Sequence, residues 1–190
     1  FDQQSFDAVV NGCVTAIQQA NDTKKAAEVK TSRALVHKDL GLADNEIFAV
    51  NRSVRAYLLN PKPIRDKYAY QSDFMQPEAA KGTLNDNMTI LRADGLDGTP
   101  IGAIVWYAVH PNNCRQTNTL VTSDNKGYAA YLMEKEINGP DWIPGQEGFV
   151  CSFPNGAQGD VSCSTSAYLD NPSETSHENL SFFILTKAPS

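Results

Sequence analysis

The amino-acid sequence predicts an α/β fold, a mixed β-sheet with flanking helices, and three observations carry that reading. Residues 101–109 (IGAIVWYAV) form an almost unbroken apolar run of β-branched and aromatic residues, as in a strand buried on both faces. Phe6, Val9, Val10, Cys13 and Ile17 recur at helical spacing behind Ser5, a plausible cap, so 5–20 reads as an amphipathic helix. Ser123-Asp124 opens a second helical stretch, 125–137, which stops at Asn138-Gly139-Pro140.

The other elements follow in order. Residues 28–36 read as an edge strand, although a ragged helix fits the pattern as well. Ile47–Val50 is a short buried strand running into Asn51-Arg52-Ser53, where Ser53 can cap a brief helix, 54–59, that Asn60-Pro61 ends. Residues 60–86, rich in proline and charge, read as a long surface excursion. Met88–Arg92 and the 101–109 run are strands joined by Ala93–Gly98, whose Asp-Gly steps are a hairpin signal. Phe149–Phe153 is a last buried strand, opening into a glycine-bearing loop, 154–162, that ends on a serine. From Ser166 to Glu178 the chain is polar and without period.

Composition narrows the function. With 190 residues, 41% hydrophobic and 20% charged, the chain is long enough for a core and is neither a polar disordered chain nor a membrane protein. No apolar run approaches the roughly 20 residues of a spanning helix. A net charge of −6 with no basic run argues against a nucleic-acid partner. Cys13, Cys114, Cys151 and Cys163 form no C-x-x-C pair, which disfavours a cysteine-only zinc site and leaves disulfides unassigned. Sequons at Asn21, Asn51, Asn87 and Asn179 give weak support to a secretory route. The opening Phe1-Asp2 without a methionine suggests a processed or partial chain.

Three strand-to-loop junctions gather the polar candidates: Arg52 after one strand, His110 after the 101–109 run, and Ser162 at the end of the glycine-bearing loop. Were the strands parallel neighbours, the three would converge at one sheet edge, where α/β proteins place chemistry. An arginine there can hold a carboxylate or an oxyanion, a histidine can bind metal or act as a base, and a serine can attack or orient water. Each has a plainer reading: His110 satisfied in the core by a backbone carbonyl, Arg52 capping a carbonyl, Asp160 closing an Asx-turn, Ser162 a loop hydroxyl. Gly-x-Ser-x-Gly is absent around Ser162, and His37 and His177 lie in segments without an order signal, so His110 is the credible histidine ligand.

Residues 51–61 (NRSVRAYLLNP) resemble a segment of the neutral ceramidases. Gly98–Gly102 with Trp106–Pro111, ending in His-Pro, is similar to that family's next strand. Residues 118–129 (NTLVTSDNKGYA) are similar to the block after it, and Gly159–Ser162 (GDVS) resembles its serine motif. Four motifs in family order span roughly residues 1–165.

The resemblance implies the α/β portion of a larger catalytic domain, residues 1–165, followed by a divergent tail, 166–190. It implies zinc-dependent hydrolysis of the ceramide amide to sphingosine and a fatty acid by a secreted or surface-anchored glycoprotein. By position, His110 resembles a zinc ligand, Ser162 the serine regarded as nucleophile, and Arg52 an arginine contacting the substrate. The implied partner is a sphingolipid, with peripheral contact to a membrane surface and association through uncovered apolar surface. The family's His-x-His block and its later Glu and Tyr ligands have no counterpart here, and the Pro-Asn usual after the serine is Cys163-Ser164. The chain is therefore expected to bind zinc poorly and to be inactive by itself. The rival expectation is a non-catalytic ceramidase-derived fragment that binds lipid or a partner chain.

Overall fold

The computed structural model describes residues 2–36, 49–68, 84–114 and 117–163. His37, the start of the 47–50 strand, His177 and the 166–190 tail lie outside them. Helix α1 (Gln3–Asp22) leads into strand β1 (Ala27–Leu35). A short strand β2 (Val50–Asn51) and two short helices, α2 (Val54–Leu58) and α3 (Lys62–Tyr68), follow. Then come β3 (Asn87–Gly95), β4 (Pro100–Trp106), α4 (Asp124–Asn138), β5 (Val150–Ser152) and β6 (Val161–Ser162).

The sheet is mixed, as expected. Its order is β1-β3-β4-β5, with β1/β3 and β3/β4 antiparallel and β4/β5 parallel. The edge-strand reading of 28–36 holds: β1 pairs with β3 over its whole length, from Ala27 opposite Gly95 to Leu35 opposite Asn87. The hairpin between β3 and β4 closes with Gly98 N–H donating to the Gly95 carbonyl at 2.8 Å, and Gly98 takes the left-handed φ of 83° that a Cβ would oppose. Parallel strands need a crossover, and α4 supplies it between β4 and β5. Two anchors fix α4 to β5: the Asn138 amide donates to the Phe149 carbonyl (2.9 Å) and accepts from Phe149 N–H (2.7 Å), and Glu134 accepts from Cys151 N–H (2.8 Å).

The core lies between the sheet and α4. Ala103, Val105 and Tyr107 turn toward Ala129 and Met133, joined by Phe149, Phe153 and Val161. Burial of the 101–109 run on both faces does not hold, since Ile104 on the opposite face is 37% exposed. The cause lies in α1. It was expected to flank the sheet, yet none of its residues is buried, and Val9 and Ile17 are 66% and 70% exposed. Among the described residues no helix covers the second face, and Ile104 of β4 meets solvent there. Likewise β5 is an edge rather than a buried strand: Phe149 and Phe153 beside it are buried, but Val150 is 59% exposed.

Several local expectations change. Helix α1 starts before Ser5, because the Asp2 carboxylate accepts from Gln4 N–H (3.3 Å) and Ser5 N–H (3.1 Å) and caps the helix itself. Neither Ser53 nor Ser123 makes a side-chain cap. The 60–86 excursion contains α3, stabilised by the i,i+4 pair Lys62–Asp66. All four cysteines are free. Asn51 is fully buried, which removes its sequon as a glycosylation acceptor in the folded chain. No helix among the described residues is long and apolar enough to cross a membrane.

Candidate active site

The carboxyl ends of β4 and β5 point the same way, and the chain beyond each end returns to the same place. After β4, Tyr107 bridges in parallel to Asn155, and Gly156 N–H donates to the Tyr107 carbonyl at 3.3 Å. The loop after β5 then reaches β6, which pairs antiparallel with β2: Val50 stands opposite Ser162 and Asn51 opposite Val161. Convergence is therefore achieved, but through a separate two-stranded ladder rather than through three parallel neighbours.

Backbone hydrogen bonds tie the three junctions together. Arg52 N–H donates to the Asp160 carbonyl (2.7 Å), and His110 N–H donates to the Val161 carbonyl (3.1 Å). The Asn51 amide donates to Asp160 Oδ2 (3.0 Å) while its oxygen accepts from Ser53 N–H (2.6 Å). Cys163 Sγ donates to Asn112 Oδ1 at 2.9 Å, a second tie between the serine strand and the His-Pro loop. Asp160 thus anchors β2 rather than closing an Asx-turn.

The candidate side chains differ in setting. Arg52 is exposed, and among the described residues its guanidinium makes neither an ion pair nor a hydrogen bond, so it caps no carbonyl there. His110 is half-buried, and its ring has no hydrogen-bond partner among the described residues, unlike a core histidine satisfied by a carbonyl. Ser162 is buried, 2% exposed, in the strand that pairs with β2. Burial raises the neighbouring Cys163 thiol above its usual range, which keeps it protonated and a poor metal ligand at neutral pH.

The residues that shape the His110 loop fall in the 118–129 block and at the predicted helix start, but their role toward His110 was missed in the sequence. They sit at the head of α4. Asp124, at φ 54°, is the only non-glycine residue with positive φ among those described. Burial pushes its carboxyl up, but amide donors from Cys114 (2.7 Å), Asn125 (2.7 Å) and Asn113 (3.0 Å) outweigh that and hold it below the ordinary aspartate range. Asn125, 5% exposed, donates to the His110 carbonyl (3.1 Å) and to Asn113 Oδ1 (3.3 Å), and its own oxygen is buried without a partner among the described residues. Lys126 donates to the Tyr107 carbonyl at 2.7 Å, and burial lowers its ammonium to about 8. The glycine that follows is required by space, since a Cβ on Gly127 would run into the Ser123 side chain.

A catalytic zinc site takes three protein ligands and an open position. Among the described residues no three His, Cys, Asp or Glu side chains group to hold a metal ion. The donor set described does not by itself fit zinc; it offers one imidazole.

Fold and cluster together define an α/β domain with its polar chemistry at the carboxyl ends of a parallel strand pair. The chain belongs to the neutral/alkaline non-lysosomal ceramidase family, whose N-terminal model matches residues 1–181. It is 35% identical over 165 residues to neutral ceramidase B of Dictyostelium discoideum and 37% identical over 162 residues to the neutral ceramidase of Drosophila melanogaster. These matches cover 87% and 85% of this chain but 20% of each relative, so the chain spans about a fifth of their length. The crystal structure of neutral ceramidase from Pseudomonas aeruginosa matches with a TM-score of 0.68, 23% identity, and 99% of this chain against 26% of that one. A ceramidase complexed with C2 gives a TM-score of 0.70 at 23% identity, over 99% of this chain and 25% of that one. At that identity the likeness establishes the fold.

Proposed function

We propose that this chain contributes the serine, arginine and one metal-binding histidine to a zinc-dependent hydrolase that splits the amide of ceramide into sphingosine and a fatty acid. The observation that carries the reading is the tying of Arg52, His110 and Ser162 into one cluster through Asp160 and Val161. Family membership supports the substrate class. Ser162 attacks the amide carbonyl carbon or aligns the attacking water, and the Arg52 guanidinium stabilises negative charge on the amide oxygen as the carbonyl opens. His110 is one zinc ligand, the others coming from segments outside the described residues; the bound metal would polarise the carbonyl and acidify water. The protein carrying this chain acts at the outer membrane surface or as a secreted glycoprotein, where its lipid substrate is presented.

A second reading has one observation in its favour. The apolar stripe of α1 is exposed, which suits a non-catalytic chain that docks on lipid or on a partner.

The test uses the chain within the full family length and a fluorescent ceramide. Ser162→Ala should lower kcat far more than it changes KM, and His110→Ala should abolish metal-dependent turnover with the fold retained. A change confined to KM in Ser162→Ala, or unfolding of His110→Ala, would count against these roles.

A further inference from the structure

We propose that Asp124, Asn125 and Lys126 are positioning residues that set the pose of His110, an inference resting on the proposed amide hydrolysis. Three consecutive side chains at the head of α4 grip one eight-residue segment at three successive points. Lys126 holds the Tyr107 carbonyl, Asn125 the His110 carbonyl, and Asp124 the amides of Asn113 and Cys114. The segment leaves β4 at Trp106 and has no ladder of its own beyond the single bridge at Tyr107. Its path from Tyr107 to Cys114 is therefore set by α4 on one side and by the bonds of Tyr107, His110 and Asn112 to the 156–163 segment on the other.

Two features separate this grip from ordinary helix-end packing. Asp124 holds φ 54°, a left-handed conformation that costs a non-glycine residue free energy. Asn125 has a buried oxygen without a partner among the described residues, the other kind of cost that folded chains avoid. Both lie in adjacent residues whose side chains hydrogen-bond to the His110 segment, at Asn113 and Cys114 from Asp124 and at the His110 carbonyl from Asn125. Glycine at 124 would relieve the backbone but lose the acceptor for the Asn113 and Cys114 amides, and an apolar residue at 125 would leave the His110 carbonyl without its donor. The arrangement gives a fixed carbonyl at His110 and a fixed backbone turn after it.

The grip also reaches the serine side. Tyr107 O, held by Lys126, accepts from Gly156 N–H as well, and His110 N–H donates to Val161 O. Displacing the His110 segment therefore shifts the strand that carries Ser162. One helix turn sets the distance between the two groups.

The experiment compares Asp124→Asn, Asn125→Leu, Lys126→Met and Lys126→Arg in the full-length protein that carries this chain. It measures fluorescent-ceramide kinetics, hydrogen exchange of residues 107–114 against the β3–β4 hairpin, and thermal stability. The first three variants are expected to lower kcat about 10–100-fold with KM within about threefold, the loss that misplaced reacting groups produce. Exchange at Asn113 and Cys114 should accelerate about tenfold or more in Asp124→Asn with the hairpin unchanged, as for a local opening. Lys126→Arg, which keeps a cationic donor, should recover most of the kcat lost in Lys126→Met. Unchanged kcat and exchange in Asp124→Asn and Asn125→Leu would overturn the inference. So would a kcat loss that tracks melting temperature with exchange raised equally in the hairpin. If the parent protein shows no ceramide turnover while exchange responds locally as described, the positioning role stands and the amide-hydrolase reading falls.

Discussion

Replacing Asn51 with alanine tests whether the site is held together as described. The residue is fully buried, its amide nitrogen donates to the Asp160 carboxylate at 3.0 Å, and its oxygen accepts from Ser53 N–H at 2.6 Å. A hydrogen bond to a charged group contributes about 1.5–3 kcal/mol and a neutral one about 0.5–1.5. Asn51→Ala should therefore destabilise by about 2–4 kcal/mol, which in a chain of this size lowers Tm by roughly 5–15 °C. Asn51→Asp is nearly isosteric but sets a carboxyl against Asp160. Like charge raises the pKa of the introduced carboxyl in the folded state, so its penalty is smallest in acid and grows as pH rises through that raised pKa. Urea melts at pH 4.5 and 7.5 read both effects. Asn51→Asp should be less stable than Asn51→Ala at pH 7.5, with the gap narrowing at pH 4.5. A loss below about 0.5 kcal/mol in Asn51→Ala, the size of an ordinary surface change, would refute the reasoning.

Lys126 is lowered to about 8 from 10.5 by burial, so between those values the unfolded chain binds the extra proton and stability rises with pH. Lys126→Met should remove that rise between pH 8 and 9, as seen in unfolding free energies; parallel profiles for the two proteins would contradict it. Above pH 9 the slope reverses in part, because burial foremost, helped by the Glu134 charge, raises the Cys151 thiol to about 12. Phe149→Ala, at a site 1% exposed, should cost about 3–5 kcal/mol by denaturant melt; a loss below 1 would mean the α4–β5 core is not packed as described. A thiol-reactive dye should modify Cys13 and Cys114 quickly, and Cys151 and Cys163 only on unfolding. Dialysed against zinc, the 190-residue chain alone should retain far less than one equivalent, and stoichiometric uptake would show that residues such as His37 or His177 complete a site.

The sequence made local elements legible and left long-range pairing hidden. The β3–β4 hairpin could be read because its turn chemistry and both its strands lie within twenty-odd consecutive residues. Helix α1 could be read from spacing, but spacing says which side is apolar and not what covers it, and here nothing described does. The two-residue ladder of β2 and β6 carries no periodicity at all; it exists because Asn51 and Asp160, 109 positions apart, bond across it. Arg52, His110 and Ser162 could be singled out as strand-end polar residues and by their motifs. Asp124 and Asn125 also lie in such a motif, but their contacts could not be read, since their side-chain partners lie 10 to 15 residues back.

That 109-residue separation has a kinetic consequence. Contacts close in sequence form before contacts that must first close a long loop. The β3–β4 hairpin can therefore form early, while the β2–β6 ladder can form only once residues up to 162 are present and the intervening sheet has brought their ends together. On a ribosome, Arg52 would emerge well before the strand that gives it a place. The cluster of Arg52, His110 and Ser162 is thus expected to assemble after the β3–β4 hairpin, and its formation reports that the two distant strands have met.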